Sequence, residues 1–185
     1  MMLRLVLAAL LTVGMGLASQ AGAVSLDTSG SEFLGLVDPG TPANTSDETH
    51  YINFLIALTP GDTDFEDTSP PPGETRFYDR SSNTPAGCCP TAVDTGAVQT
   101  DTSDNTGIDV TGFTYLLGKY GPQDLIWYVG NLSGEVDIPD KFNQGEGGGG
   151  LSHFALFNPT SVPEPGTLVL MGSALVALGL WRRKR

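Results

Sequence analysis

Cys88, Cys89, His50, His153 and 21 carboxylates are the side chains of this 185-residue chain best suited to chemistry. The two cysteines are adjacent, and across a trans peptide their Cα atoms would sit about 3.8 Å apart, below the roughly 4.4 Å minimum of an ordinary disulfide. Three states are open to them: a strained vicinal disulfide, an intermolecular cross-link, or two thiols. A vicinal bridge in a rigid turn next to Pro90 is the favoured one. Structural zinc is disfavoured, because two adjacent cysteines and two distant histidines lack the spaced ligand pairs such a site needs.

Hard oxygen ligands cluster in Gly61–Asp67 and in Asp101–Gly107. Neither stretch is an EF-hand loop: counted from Asp101, glycine falls at the seventh place and Gly112 at the twelfth, and counted from Asp62 the sixth place is Asp67. An irregular Ca2+ site is the alternative to a solvated acidic loop, and no metal ligand or cofactor is assigned. A glycoside hydrolase would need two carboxylates facing across a cleft, and an abundance of acids singles out no pair. The chain shows no nucleophile elbow, no zinc-protease helix motif and no serine-histidine-acid constellation. No catalytic residue is assigned, and a non-enzymatic protein is expected. The glycine run at 145–150 lacks the strand-to-helix setting of a phosphate loop and reads as a flexible link.

Those groups must be placed by a domain smaller than the chain. Met1 to Leu17 give a short basic region with Arg4 and then an apolar run, and Ala21-Gly22-Ala23 fits the small-x-small cleavage pattern. Residues 1–23 therefore read as a secretory signal peptide cut after Ala23 by signal peptidase. Between Val24 and Pro163 stand 20 Asp plus Glu against Arg76, Arg80, Lys119 and Lys141, a net charge of −16. Such a chain repels phosphate backbones, which excludes nucleic acid as a partner, and it favours solubility.

Within residues 24–160 no uninterrupted helical period stands out, and short apolar runs alternate with turn signals. Tyr51–Leu58 reads as a strand, followed by Gly112–Leu117, Leu125–Val129, Glu135–Ile138 and Ser152–Phe157. Thr59–Pro90 reads as a long surface excursion. The pattern predicts an all-β, antiparallel β-sandwich-like exported domain with one modest core. On alternating strands Trp127 is expected in that core and His153 as a hydrogen-bonded structural histidine.

The C-terminal 161–185 closes on VPEPGTLVLMGSALVALGLWRRKR. Thr167–Trp181 carries no charge over 15 residues, and as a helix it would span about 22 Å against a hydrocarbon core of about 30 Å. Trp181 suits the interface, and Arg182, Arg183, Lys184 and Arg185 can snorkel and stay cytoplasmic, so a transmembrane helix at 167–181 with a basic tail at 182–185 is expected. Pro163-Glu164-Pro165 holds the backbone extended just before that helix, as a protease requires of its substrate.

Pro163-Glu164-Pro165, the short apolar run and the arginine-rich end, in that order, resemble the PEP-CTERM sorting signal of exopolysaccharide-producing bacteria. The resemblance implies an exosortase, an integral-membrane transpeptidase that cuts near the triplet, and delivery to the cell surface or matrix. FTYLLGKYG, LIWYVGNLSGEVDIP and GLSHFALFNPT resemble a recurring C-terminal pattern of such exoproteins, which implies a β-rich extracellular domain and no activity. The expectation is an exported, exosortase-processed surface or extracellular-matrix protein associated with exopolysaccharide and a biofilm matrix, touching the membrane only transiently. The alternatives are a secreted carbohydrate- or calcium-binding β-module and, further off, a polysaccharide-active hydrolase.

Overall fold

The computed structural model describes residues 23–68, 75–100, 104–142 and 149–158. The signal segment up to residue 22 and the tail from residue 159 lie outside them, with the expected membrane helix, Pro163, Glu164, Pro165 and Arg182–Arg185. In chain order the elements are β1 (Val24–Ser25), β2 (Phe33–Asp38), α1 (Thr45–Ala57), β3 (Phe65–Asp67), β4 (Arg76–Arg80), β5 (Val98–Thr100), β6 (Ile108–Asp109), β7 (Tyr115–Tyr120), β8 (Gln123–Tyr128), β9 (Glu135–Asp137) and β10 (Leu151–Phe157).

Among the described residues the protein is mostly β, as the sequence predicts, with two sheets and one α-helix. Seven strands form an antiparallel sheet in the order β3-β4-β2-β8-β7-β10-β5. A smaller sheet, β1-β9-β6, joins β9 antiparallel to β6 and parallel to β1. The centre of the seven-stranded sheet is the β7–β8 hairpin, closed at Gly121-Pro122, with Tyr115 opposite Tyr128 and Lys119 opposite Asp124. Every residue of both strands is buried.

That burial follows from the two covered faces. Side chains alternate sides along a strand, so Leu116, Tyr120, Leu125 and Trp127 point one way, onto Ile108, Val136 and Ile138 of the small sheet and its margins. Tyr115, Leu117, Ile126 and Tyr128 point the other way, onto Tyr51, Ile52 and Leu55 of α1. Trp127 is fully buried, donates from Nε1 to the Asp27 carbonyl at 3.1 Å, and meets the Phe33 ring at 6.0 Å. It is a core residue, in line with its expected place.

Two segments differ from the sequence reading. Tyr51–Leu58 is not a strand, because Tyr51–Ala57 lie in α1 and Leu58 caps its C-terminal end. Its β-branched and aromatic run reads as a strand by composition, yet the residues that α1 buries, Glu48, Tyr51, Ile52 and Leu55, recur at the i, i+3, i+4, i+7 spacing of one helical face. Asn44 caps the helix by accepting from the backbone N–H of Ser46 and of Asp47, both at 3.1 Å. Thr59–Pro90 is not wholly an excursion either, since β3 and β4 lie inside it and pair with each other and with β2. Phe77 is exposed while Arg76 and Arg80 face inward. That inversion of the usual polarity hides β4 from a hydropathy reading.

Trp127→Ala is expected to lower unfolding stability by about 3–5 kcal/mol, read from urea denaturation. A loss below about 1 kcal/mol would contradict its role as the keystone of the sheet-on-sheet face.

Candidate functional site

The polar residues concentrate between α1 and the sheet. Glu48 stands in the first turn of α1, where a carboxylate suits the positive end of the helix dipole, and it is turned inward and fully buried. Its Oε1 meets His153 Nε2 of β10 at 2.9 Å, and its Oε2 accepts from Gln99 Nε2 of β5 at 2.6 Å. On the sheet surface His153 lies opposite Lys119, and Lys119 opposite Asp124, in one row across β10, β7 and β8. Lys119 Nζ lies 3.1 Å from Asp124 Oδ1 and also donates to the Gly40 carbonyl.

A second group sits beside the first. His50 Nε2 meets Asp67 Oδ2 at 2.9 Å, and the Tyr78 hydroxyl donates to that same oxygen at 3.4 Å. Fully buried Arg76 donates to the Thr41 carbonyl from Nε at 3.2 Å and from Nη2 at 2.6 Å, with its guanidinium 5.2 Å from the centre of the Tyr51 ring. The Tyr51 hydroxyl donates to the Pro42 carbonyl at 3.0 Å. These bonds tie the segment after β2 to α1 and β4.

The electrostatics follow from burial. The hydrogen bond to Glu48 raises the His153 pKa above the ordinary histidine value, against the desolvation that lowers it. Desolvation lifts the Asp124 carboxyl well above the usual carboxylate range, and Lys119 offsets only part of this. Desolvation also pushes the Tyr51 hydroxyl up to about 12 and lowers the Arg80 pKa. His153 is thus hydrogen-bonded within the layer, as its sequence setting suggests.

Arg76, Arg80 and Lys119 are buried at 0, 4 and 5% exposure, and only Lys141 of the exported segment's four basic residues is exposed. Among the described carboxylates, only Glu48, Asp67 and Asp124 are buried. The folded surface is therefore more one-sidedly acidic than the sequence count implies.

Cys88 and Cys89 are joined by a disulfide. They line a cavity of about 230 Å³ with Ile56, Leu58, Pro85 and Arg80. A second cavity, of about 310 Å³, is lined by Phe33, Leu36, Phe142 and Asp79 among others. The Gly61–Asp67 oxygens diverge: Asp62 Oδ2 accepts from the Thr59 N–H at 3.0 Å, whereas Asp67 turns inward to His50. Of the other stretch, Asp101–Ser103 lie outside the described residues, and Asp104 accepts from Thr106. Among the described residues no group of three or more metal-ligating His, Cys, Asp or Glu side chains occurs. Tyr128 is buried with Trp127, so neither ring offers a platform to a sugar, and among the described residues the exposed large aromatics are Phe65 and Phe77. Ala23 is exposed and immediately precedes β1; Ala21 lies outside the described residues.

The sequence reading missed the buried row because its members are far apart in the chain. The one local sign was Glu48 on the apolar stripe of α1, visible once the segment is read as a helix.

The PEP-CTERM protein-sorting motif matches residues 161–184, which include Pro163, Glu164, Pro165, Arg182, Arg183 and Lys184. The chain thus carries a PEP-CTERM sorting motif, which implies processing by an exosortase and export through the membrane to the cell surface. No curated protein and no solved structure matches the chain. Among the described residues no helix is long and apolar enough to cross a membrane, and Thr167–Trp181 is not among them.

Because the folded pKa of His153 is raised, its pair with Glu48 contributes stability that is fully present below the unfolded value of about 6.5 and is lost as pH rises through the higher folded value. The urea midpoint of the wild type should therefore fall more between about pH 6 and 8 than that of His153→Gln. Equal slopes in the two proteins would show that the pair does not titrate this way.

Proposed function

We propose that the mature domain is a non-enzymatic surface or extracellular-matrix protein associated with exopolysaccharide. The observation that carries the reading is the sorting motif at residues 161–184, on a chain whose first 23 residues have the order of a secretory signal. In this reading signal peptidase cuts after Ala23, leaving Val24, the first residue of β1, at the new N-terminus. The apolar run at 167–181 then holds the chain in the inner membrane with Arg182–Arg185 in the cytoplasm. An exosortase cuts near Pro163-Glu164-Pro165 and releases the domain outward. A run of 15 residues suits this short-lived hold better than a lasting anchor.

The non-enzymatic reading is supported by the pairing of the buried titratable groups. Glu48 with His153, Asp67 with His50 and Asp124 with Lys119 are bonded to one another inside the helix–sheet layer. The acidic surface bears on the glycan: it disfavours direct contact with a polyanionic chain and leaves hydrogen bonding to a neutral glycan or bridging by divalent cations. The second reading, a calcium-dependent carbohydrate-binding β-module, draws on that surface and on exposed Phe65 and Phe77.

Replacing Pro163, Glu164 and Pro165 together by alanine should leave the C-terminal peptide attached and the chain in the membrane fraction, read by mass spectrometry of the terminus and cell fractionation. Normal trimming and surface delivery of that variant would sink the exosortase reading. The exported protein should also sediment with its producer's own polysaccharide. Sedimentation only with calcium favours the second reading, and none in either condition removes the glycan association.

A further inference from the structure

Lys119 and Asp124 form a buried ion pair that lacks the full set of hydrogen bonds such a pair needs. Lys119 is 5% exposed and Asp124 0%, on adjacent strands and directly opposite each other. The ammonium has two acceptors, Asp124 Oδ1 at 3.1 Å and the Gly40 carbonyl. Asp124 Oδ2 is buried with no hydrogen-bond partner. Gly40 packs directly against this carboxyl group, and a Cβ there would overlap Cγ and Oδ2. Taking two ions out of water costs several kcal/mol each, and an orphaned oxygen adds to the cost.

We propose that Lys119 and Asp124 condense into an intramolecular amide cross-link, with Nζ bonded to Cγ and one water released. The pair begins as an ammonium with three protons and a carboxylate with none. One proton passes from Nζ to the carboxylate, which frees the nitrogen lone pair. Nζ attacks Cγ, the Nζ–Cγ bond forms, and the Cγ–Oδ2 bond breaks. Oδ2 departs as water, carrying the transferred proton and a second one from Nζ. Atoms and charge balance with no oxidant, cofactor or activating group.

The product suits the site better than the reactants. Its single N–H is left for the Gly40 carbonyl, Oδ1 remains as the amide oxygen, and the departing atom is the oxygen that had no partner. Two buried charges vanish with it. In bulk water hydrolysis opposes condensation of an amine with an acid, whereas a dry interior releases the water and holds the reacting atoms together. Burial also favours the protonated, electrophilic carboxyl. The Glu48–His153 pair, beside Lys119 in the same row, offers a second acid–base couple within the layer.

The test is a tryptic digest of the full chain after reduction of the disulfide. Trypsin cuts after Arg80, Lys119 and Lys141. A cross-linked Lys119 is not cut, so residues 81–141 should remain one peptide, lighter than the uncut sequence by the mass of one water. Fragmentation should place the link between residues 119 and 124. Asp124→Ala should restore cleavage at Lys119 and the full mass. Clean cutting of the wild type at Lys119 into two unmodified peptides overturns the proposal, whether or not the variant folds. Loss of water with normal cutting at Lys119 places the dehydration elsewhere and overturns it equally.

Discussion

The inward turn of Glu48 is the constraint on which the arrangement of this domain depends. A carboxylate fully removed from water must be paired, or several kcal/mol of desolvation go uncompensated. Its two partners lie on β10 and β5, more than fifty residues further along the chain. The pairing therefore fixes where the first turn of α1 sits over the far side of the sheet. With that end placed, Tyr51, Ile52 and Leu55 fall on the apolar sheet face without further choice. The Arg76 bonds to Thr41 and the Tyr51 bond to Pro42 then secure the segment that leads into the helix.

A sheet covered on both faces also accounts for how the domain reads as a sequence. The β7–β8 hairpin and β10 were legible because strands buried on two sides are nearly continuous in apolar residues and their turn signals are strong. The mostly β character of the domain was anticipated, though the division into two sheets and their membership were not. α1 was misread because Tyr, Ile, Phe and Leu favour strands by propensity, whereas the period of its buried residues, which only tertiary contact makes decisive, is helical. β4 escaped because its inward residues are two arginines and a tyrosine. Their burial rests on acceptors such as the Thr41 and Leu34 carbonyls, and no local pattern announces such partners.

The candidate site was less legible still. His153 could be expected to be hydrogen-bonded, but neither Glu48 as its partner nor the row that joins it to Lys119 and Asp124 follows from spacing, since three separate strands build that row. The sorting signal is the opposite case. It is read by another protein as a linear segment, so its information is local and survives in the sequence without any fold.

The division of charge joins these two kinds of information. Drawing Arg76, Arg80 and Lys119 inward uses up most of the cations of the exported segment, and the surface left behind is acidic almost throughout. Arg80 shows that the internal cations are held for structural reasons: its Nη1 donates to the Leu34 carbonyl at 2.7 Å and to the Ser81 carbonyl at 3.3 Å, joining the end of β4 to β2. Among the described residues Lys141 is the one Lys or Arg left exposed, so the described surface offers little to draw the domain to an anionic lipid surface. The tail, in contrast, concentrates four basic residues in its last four positions. On the proposed sorting route, opposite charges therefore stand on either side of Pro163-Glu164-Pro165, the acidic domain before it and Arg182–Arg185 after it.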